Sequence, residues 1–307
     1  MTFTQKIRIG TRSSPLAVAQ AHEARERLIA AHGLSTDQFD ILTFTTTGDT
    51  IRDRPLSEIG GKGLFTKELE EALFAGVIDM AVHSMKDMPA KPPNGLDIAA
   101  FLPREDARDA FISLISQTLG ELPLGAILGS SSVRRTAQAL RVRPDLGSAP
   151  FRGNVQTRLK KLQDGSAHAT FLAVAGLNRL GLADKITSIM SMDEMLPSVA
   201  QGAIGIQINS RDEAIRKILL PLNHDATSTA VICERSFMAA LDGSCSTPIA
   251  GYAHIENNIL KFSGEALTLD GKHVFAVKRE GSLSDGLKIG RNAGEEVKKR
   301  GGKLIVY

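Results

Sequence analysis

Arginine and serine side chains recur at three places where a predicted strand passes into a predicted helix. These places are Gly10-Thr-Arg-Ser-Ser14, Ser130-Ser-Ser-Val-Arg-Arg135 and Arg152-Gly-Asn154. Free N–H groups at a helix start attract anions, hydroxyl groups there cap the helix, and arginine holds a carboxylate through two parallel hydrogen bonds. Because such turns line the ligand crevice of open α/β sheets, they predict a site for a small ligand with several anionic groups.

The positive charge of the chain is concentrated in one stretch. Residues 129–182 contain nine lysines and arginines but only two acids, whereas the whole chain has a formal net charge of +3. A solvated basic face is the ordinary explanation of such a stretch. A nucleic-acid surface is another, and it would give an affinity that falls steeply with salt. The absence of tryptophan and an aromatic content of 5% argue against stacking on single strands.

An acid and a lysine follow a short apolar strand in Val82-His-Ser-Met-Lys-Asp87. A neighbouring lysine and aspartate usually form a surface pair that contributes little. At a strand end that faces an arginine-lined cleft, Asp87 would instead be the negative group in a positive field. That placement predicts an acid/base or a carboxylate that stabilises a cation. His83 alternates away from Ser84, and we interpret it as structural.

The two cysteines have different settings. Cys233 lies within an amphipathic helical pattern, where a cysteine is by default a small buried apolar residue. Cys245 lies in the loop Leu241-Asp-Gly-Ser-Cys-Ser-Thr-Pro248, and reactive groups concentrate on loops. Two cysteines exclude a disulfide framework, and no cysteine–histidine cluster has zinc-binding spacing. We therefore expect no metal site.

The elements that must position these residues alternate between strand and helix over the first two thirds of the chain, which favours an α/β class with a largely parallel sheet. The predicted strands are Ile7–Gly10, Phe39–Thr45, Met80–His83, Ala110–Ile115, Ile127–Leu128, Ala169–Ala173 and Ile204–Ile208. The predicted helices are Pro15–Ala31, Leu64–Ala75, Ser130–Leu140 and Asn154–Leu162, with a glycine-rich loop over Gly48–Gly63.

The pattern changes after about Asn223. One amphipathic helix over Asp225–Leu241 is predicted to bury Ala226, Ala230, Ile232, Cys233, Phe237 and Leu241. A meander of strands follows over Ile249–Ile255, Ile259–Leu269 and His273–Lys278, with a hairpin turn at Asp270-Gly271, and a final helix over Leu287–Arg300. This order predicts a small α+β domain.

A length of 307 residues, with 42% hydrophobic and 23% charged residues, suits a globular protein of two or three domains. We expect one lobe from residues 1–102 and 200–222, a second from 103–199, and the α+β domain from 223–307, with a hinge and a cleft between the lobes. No stretch reaches the ~20 apolar residues of a membrane helix. Lys6 and Arg8 interrupt the first apolar run, so we expect no secretory leader and a cytoplasmic location; a transit peptide is the alternative.

Eight motifs follow one another along the chain: Ile9-Gly-Thr-Arg-Ser-Ser-Pro-Leu-Ala17, Gly60-Gly-Lys-Gly-Leu-Phe65, Val82-His-Ser-Met-Lys-Asp-Met-Pro89, Gly129-Ser-Ser-Ser-Val-Arg-Arg135, Arg152-Gly-Asn-Val-Gln-Thr-Arg158, Leu172-Ala-Val-Ala-Gly-Leu-Asn-Arg-Leu-Gly181, Gln201-Gly-Ala-Ile-Gly205 and Gly243-Ser-Cys-Ser-Thr-Pro-Ile249. Taken together, they resemble the porphobilinogen deaminase (hydroxymethylbilane synthase) family. The resemblance covers most of the chain and is weakest in the C-terminal meander. Ser130 and Ser244 depart from the common family residues, threonine and glycine, without removing a functional group that the chemistry needs.

The resemblance implies two α/β lobes like those of periplasmic binding proteins and a small α+β domain that carries the cofactor cysteine. It implies a transferase of tetrapyrrole and heme biosynthesis that joins four porphobilinogen molecules head to tail and releases ammonia at each step. The product would be the linear hydroxymethylbilane. A dipyrromethane cofactor in thioether linkage to Cys245 would act as the primer, and the family implies a monomer.

The resemblance also assigns roles to individual residues. Asp87 would be the catalytic carboxylate, which stabilises the cationic azafulvene formed by loss of ammonia. The residues implied to hold the cofactor are Cys245, Lys86, Ser130, Ser131, Ser132, Arg134, Arg135 and Arg158. The residues implied to hold substrate carboxylates or cover the cleft are Arg12, Ser14, Gln20, Lys62, Ser84, Arg152, Arg158, Arg179 and Gln201.

A bilobal anion-binding protein without catalysis is the rival from another class. Such a protein would need no cysteine in a loop and would bind its ligand reversibly. Ammonia release and bilane formation from porphobilinogen separate the two interpretations.

Overall fold

The computed structural model describes residues 6–50, 63–242 and 247–305; Lys62 and Cys245 lie outside this part of the chain. The strands are β1 (Ile7–Arg12), β2 (Phe39–Phe44), β3 (Met80–Ser84), β4 (Leu96–Phe101), β5 (Asp109–Ser113), β6 (Ile127–Gly129), β7 (Gly147–Ala149), β8 (Ala169–Ala173), β9 (Ser188–Ile189), β10 (Ile204–Asn209), β11 (Ile249–Glu256), β12 (Ile259–Leu267) and β13 (Val274–Gly281). The α-helices are α1 (Pro15–His32), α2 (Thr47–Thr50), α3 (Lys67–Phe74), α4 (Val133–Val142), α5 (Val155–Gln163), α6 (Val174–Arg179), α7 (Glu213–Leu219), α8 (Asp225–Ala240) and α9 (Gly286–Gly301).

Two compact units contain these elements. The first holds the described residues within Met1–Ile51, Gly61–Glu105 and Ala203–Ser228, and the second those within Asp106–Gly202 and Thr229–Tyr307. The second unit contains both a five-stranded sheet and the three-stranded C-terminal sheet. The division of the chain into three domains therefore stays a prediction.

The two five-stranded sheets share one topology. The first has the order β2-β1-β3-β10-β4 and the second the order β7-β6-β8-β5-β9. In each sheet the first three strands in this order are parallel, and the fourth is antiparallel to both of its neighbours. The predicted α/β class is confirmed, but the sheets are mixed, because the direction of the fourth strand depends on where the chain returns and not on its own residues.

In the first unit, the sheet is covered on both faces by apolar side chains. Ile9 and Val82 pack with Leu28 of α1 on one face. On the other face, Leu69 of α3 packs with Ala81. The sequence of a strand that is buried on both faces is a nearly continuous run of apolar residues. For this reason β3 and β10 could be predicted from the sequence.

Several elements differ from the predicted ones. β4, β7, β9, α2, α6 and α7 were not predicted: β4 is poor in β-branched residues and the other five are short, and α2 overlaps the start of the predicted loop over Gly48–Gly63. Helix α4 begins at Val133 and not at Ser130, because Ser132 is its N-cap, and α3 begins at Lys67 and not at Leu64. The predicted buried face of α8 is wrong at Ala226 and Ile232, both of which are exposed.

The C-terminal module, defined here as residues 229–305 without 243–246, confirms the predicted α+β order. Strands β11, β12 and β13 form an antiparallel meander, and Gly271 turns the chain between the last two at a φ of +72°. The Phe237 and Phe262 rings lie 5.0 Å apart at their centroids. None of the helices in the part of the chain that the structure describes is long and apolar enough to cross a membrane.

Helix α9 packs closely against α8 through glycines. A Cβ atom placed on Gly290 would lie 2.0 Å from the carbonyl oxygen of Cys233, and one on Gly294 would lie 2.7 Å from that of Phe237. The neighbouring atoms are helix backbone and, at Gly294, also the Cβ of Ala240, and none of them can move aside as the end of a flexible side chain can. The absence of a side chain at these positions therefore sets the distance between the two helices.

We predict that Gly290→Ala destabilises the protein. In an open helix this change stabilises by about 1 kcal/mol, but here the added methyl group overpacks the helix contact, at a cost of roughly 1–3 kcal/mol. The measurement is the free energy of unfolding from urea titration. Asn292→Ala, on the exposed side of the same helix, is the control and should be neutral or slightly stabilising. A gain of stability in Gly290→Ala would contradict the close packing.

Candidate active site

Each of the three predicted strand-to-helix turns is present and is closed by a capping side chain. The turn after β1 ends at Ser14, whose Oγ accepts the N–H of Ala17. The turn after β6 ends at Ser132, which caps α4, and the segment after β7 ends at Asn154, which caps α5. The predicted positions of these strand-to-helix turns are therefore confirmed, and anion binding at them stays a prediction.

In the first unit, the guanidinium group of Arg12 lies between two carboxylates. It donates two hydrogen bonds to Asp49, from Nη2 to Oδ1 at 2.5 Å and from Nε to Oδ2 at 3.2 Å. Its Nη1 donates to Oδ2 of Asp87 at 3.2 Å. The ring of Phe65 lies beneath the guanidinium, 4.3 Å from its carbon to the ring centroid. The formal charge of the three ionisable side chains is minus one.

The Asp49 side chain is held in place from its own helix. Thr46 donates its hydroxyl to Oδ2 of Asp49 at 2.7 Å. Burial would raise the pKa of Asp49, but the hydrogen bonds from Arg12 and Thr46 outweigh it and lower that pKa. Burial would likewise lower the pKa of Arg12, and the two aspartates raise it. Both groups are therefore firmly charged, and the pair fixes the arginine.

Asp87 lies at the end of a short 3₁₀ turn, Met85–Asp87, that follows β3. The N–H of Met85 donates to the carbonyl of Ala203 at 3.0 Å, and its side chain is buried, so the turn is anchored. The Asp87 side chain is 33% exposed. It thus combines a fixed backbone with a carboxylate that solvent or a ligand can reach.

Two predicted substrate residues bind each other. The Gln20 amide nitrogen donates to Oγ of Ser84 at 2.8 Å, and the Ser84 hydroxyl lies 3.0 Å from the Gln20 amide oxygen. Gln20 is almost fully buried in α1. Ser84 lies three residues before Asp87, so this hydrogen-bonded pair links α1 to the end of β3 next to Asp87.

In the second unit, one carboxylate binds two arginines in the interior. Asp109 accepts from Nη1 of Arg134 at 2.8 Å and from Nη2 and Nε of Arg135 at 2.7 and 2.9 Å. The amide of Gln201 donates to the same carboxylate at 3.1 Å. The side chains of all four residues are buried. Burial would raise the pKa of Asp109, but the charges of Arg134 and Arg135 hold it well below its usual range.

Two further arginines that the sequence predicts to hold ligands, Arg158 and Arg179, donate to backbone carbonyl groups. Arg158 donates from Nε to the carbonyl of Gly153 at 2.9 Å, and Arg179 donates from both Nη atoms to the carbonyl of Gly202 at 3.2 Å. Arg152 lies at the turn before α5, and the hydroxyl of Ser130 accepts the N–H of Ser132.

Sequence reasoning did not identify Asp49, Asp109 or Phe65. The available signal for Asp109 was an acid that opens the apolar strand Asp109-Ala-Phe-Ile-Ser113, where a charge needs a buried partner. Asp49 lies in the predicted loop over Gly48–Gly63, although the structure has it in α2, and nothing in the neighbouring sequence distinguishes it from a solvated turn residue. Within residues 6–50, 63–242 and 247–305, no group of histidine, cysteine or acidic side chains could hold a metal ion.

Two family models match the chain. "Porphobilinogen deaminase, dipyromethane cofactor binding domain" matches residues 7–217, and "Porphobilinogen deaminase, C-terminal domain" matches residues 228–299. The chain is 54% identical to the porphobilinogen deaminase of Paracoccus denitrificans, over 96% of this chain and 94% of that one. It is 51% identical to the chloroplastic porphobilinogen deaminase of Oryza sativa, over 96% and 84%.

Among solved structures, the chain is similar to the periplasmic aliphatic sulphonate binding protein of Escherichia coli. The TM-score is 0.41 at 14% identity, and the match covers 78% of this chain and 71% of that one. A similarity of this size carries no inference about function.

We predict that Asp109→Asn lowers the free energy of unfolding by about 3–5 kcal/mol at pH 7, because it leaves two buried guanidinium groups without their counter-charge. The folded-state pKa of Asp109 lies below the unfolded value of about 3.9. Its stabilisation is therefore complete above the unfolded pKa and is lost as pH falls through the folded pKa.

The measurement is urea unfolding of wild type and variant between about pH 3 and pH 7, where the difference in stability should shrink at the acid end. Asp145→Asn is the control, because Asp145 pairs with Arg143 at the surface, and its loss should be far smaller. If both variants lose the same free energy of unfolding, the larger effect expected from the buried position of Asp109 is contradicted.

Proposed function

Because this chain belongs to the porphobilinogen deaminase family, we propose that Arg12, Asp49 and Asp87 form the condensing centre of a hydroxymethylbilane synthase. The family reaction joins four porphobilinogen molecules head to tail, with release of ammonia at each step, into linear hydroxymethylbilane. The chain is accordingly a transferase of porphyrin and heme biosynthesis.

The observation that carries the proposal is the unequal charge of this centre. Arg12 is already bound to Asp49 by two hydrogen bonds and reaches Asp87 through one. Loss of ammonia from porphobilinogen leaves positive charge on its methylene carbon. A partly exposed carboxylate that is incompletely neutralised stabilises such a cation more than it stabilises the neutral reactant.

Asp87 is also suited to proton transfer. The departing amine must leave protonated, and the pyrrole carbon that forms the new bond must lose a proton. A carboxylate within hydrogen-bond reach of each atom can move these protons in turn. The anchored turn at Met85 keeps the carboxylate in place while its exposed side faces the ligand.

Substrate carboxylates would be held mainly by arginines. Each porphobilinogen carries an acetate and a propionate group, so the growing chain needs many cationic partners. Arg179 suits this role, because a guanidinium group can hold a carboxylate through two parallel hydrogen bonds. The residues that we propose for substrate binding are Arg12, Ser14, Gln20, Lys62, Ser84, Arg152, Arg158, Arg179 and Gln201.

The residues around the start of α4 fit a dipyrromethane cofactor, which carries four carboxylates. Two guanidinium groups share the single carboxylate of Asp109, which leaves a formal excess of one positive charge. The start of a ten-residue helix adds N–H groups that favour anions. When bound, the cofactor supplies the pyrrole carbon to which the first substrate is joined. We propose that it is held by Lys86, Ser130, Ser131, Ser132, Arg134, Arg135 and Arg158, with a thioether to Cys245.

We further propose three domains with the boundaries given above, a monomer, and a cytoplasmic location. Shortage of cysteine is in keeping with a reducing compartment. Size-exclusion chromatography of the holoenzyme and cell fractionation test the last two points.

The first prediction of the proposed function concerns Cys245. We expect the intact mass of the purified protein to exceed the sequence mass by one dipyrromethane unit. Cys245→Ser should lose this adduct, whereas Cys233→Ser should keep it, since burial raises the pKa of the Cys233 thiol to about 12 and makes it a poor nucleophile. An active wild-type protein of unmodified mass would refute the thioether.

The second prediction concerns Asp87. Asp87→Asn keeps the size of the side chain but removes its charge and its basicity, and we expect bilane formation to fall at least about a hundredfold. Asp87→Glu should retain some activity, because the charge survives in a displaced position. Turnover is measured on protein that carries the assembled cofactor, so that assembly defects do not contribute.

Asp79→Asn is the matched control for Asp87→Asn. Asp79 binds Arg8 through two hydrogen bonds at the other end of β1, so its loss disrupts a similar ion pair away from the proposed centre. Turnover close to that of wild type in Asp87→Asn, or an equal fall in Asp79→Asn, would remove Asp87 from the mechanism.

A further inference from the structure

The segment 196–202 in the second unit contacts several of the proposed anion-binding groups through its backbone. The carbonyl oxygen of Leu196 accepts from Nη1 of Arg134 at 2.9 Å and from the Gln138 amide at 3.0 Å. The carbonyl oxygen of Gly202 accepts from both Nη atoms of Arg179. The two ends of one short segment thus orient two of the arginines.

The middle of the segment reaches the buried carboxylate. The Gln201 amide donates to the carbonyl of Ala107 at 2.7 Å and to Asp109 at 3.1 Å. Since Asp109 also binds Arg134 and Arg135, the amide of Gln201 completes the shell of donors around that carboxylate. A shift of the segment would therefore move both the Gln201 amide that donates to Asp109 and the Leu196 carbonyl that accepts from Arg134.

The conformation of the segment depends on a strained residue. Ala200 has a φ of +60°, in the left-handed region that a residue with a Cβ atom rarely adopts. Its N–H donates to Oε2 of Glu234 at 2.6 Å. This charge-assisted hydrogen bond is strong, and it holds Ala200 in a conformation that alanine disfavours.

Glu234 belongs to α8 of the C-terminal module and is completely buried, with 0% of its surface exposed. Its other oxygen, Oε1, accepts the N–H of Ala253 in β11 at 2.7 Å. In addition, the N–H of Gly251 in β11 donates to the carbonyl oxygen of Pro197 in the segment at 3.0 Å. One carboxylate therefore joins the segment to both a helix and a strand of the module.

We propose that Glu234 is a positioning residue for the anion-binding arginines. By accepting the N–H of Ala200 it fixes segment 196–202, and through the backbone of that segment it sets the orientation of Arg134, Arg179 and the amide donor on Asp109. The inference rests on the proposed function, because it takes these arginines to hold carboxylates of the cofactor and the substrate. It adds a link from helix α8, which precedes the Cys245 loop in the sequence, to the groups that hold the ligands.

The test begins with Glu234→Gln in the full-length protein. The amide keeps the size of the side chain, but one of its two polar ends is an NH₂ group that faces a backbone N–H. We expect KM for porphobilinogen to rise fivefold or more, with a smaller change in kcat. The fraction of protein that carries the cofactor adduct, measured by intact mass, should also fall.

Val297→Ala is the control for general destabilisation. Val297 is fully buried in α9 of the same module and lies outside the set of residues that bond to the segment. It should lower the unfolding temperature while leaving KM and the adduct fraction of the folded protein unchanged. If Glu234→Gln lowers the unfolding temperature but leaves KM and the adduct fraction unchanged, as expected of Val297→Ala, Glu234 is not a positioning residue.

A second substitution tests the conformational link directly. Glycine adopts a positive φ without the Cβ penalty, so Ala200→Gly in the Glu234→Gln background should recover at least half of the change in log KM. Alone, Ala200→Gly should have KM close to that of wild type. If the double variant has the same KM as the Glu234→Gln single variant, the proposal is overturned.

Should Glu234→Gln fail to fold, Ala200→Val perturbs the segment with Glu234 intact. A β-branched residue tolerates a positive φ poorly, so the same rise in KM and loss of adduct are expected; wild-type values would overturn the proposal. A wild-type protein that forms neither adduct nor bilane would refute the proposed function itself. A normal wild type with unaffected variants would refute only the role of Glu234.

Discussion

The second unit depends on one constraint, which is that buried charges must be paired. Arg134 and Arg135 are turned into the interior, where an unpaired guanidinium group is strongly unfavourable. Asp109 meets this requirement by binding both, and it leaves one formal positive charge in excess. The strand that begins with Asp109, the helix that begins after Ser132 and the turn that contains Gln201 all have their relative positions fixed by this contact. The buried cluster thus determines the geometry of the surrounding elements and carries a formal excess of one positive charge.

The centre in the first unit has the opposite balance. There one guanidinium group, that of Arg12, serves two carboxylates, and the formal charge is minus one. Asp49 takes two of the hydrogen bonds of Arg12 and leaves Asp87 with a single one, so Asp87 retains unused acceptor capacity on its exposed side. We propose that such a group stabilises the cationic carbon formed by loss of ammonia, and that the formal positive excess around Asp109 favours carboxylate groups.

Local chemistry in the sequence was sufficient to predict the strand-to-helix turns and the buried strand that leads to Asp87, whereas the catalytic role of Asp87 stays a prediction. Pro15 marks the start of α1 and the apolar run before Ser84 marks a buried strand, because each depends on neighbours within a few residues; the start of α4 was predicted at Ser130, two residues before its N-cap Ser132. The partners of these residues could not be predicted in the same way. Asp49 is 37 residues from Arg12, and Asp109 is 25 and 26 residues from its two arginines. The antiparallel direction of β5 and β10 likewise depends on where the chain returns to each sheet, and no local pattern records it.

Two neighbouring buried residues of helix α8, Cys233 and Glu234, have different roles in the structure. They differ in what burial does to them. Burial, together with the charge of Glu234, raises the pKa of the Cys233 thiol to about 12, so this cysteine stays a packing residue against the glycines of α9. Glu234 keeps two strong hydrogen bonds to backbone N–H groups, which compensate for the loss of water around its carboxylate. The carboxylate consequently stabilises the left-handed conformation of Ala200. In the proposed role of Glu234, a module without a proposed catalytic side chain among its described residues influences how the arginines are oriented.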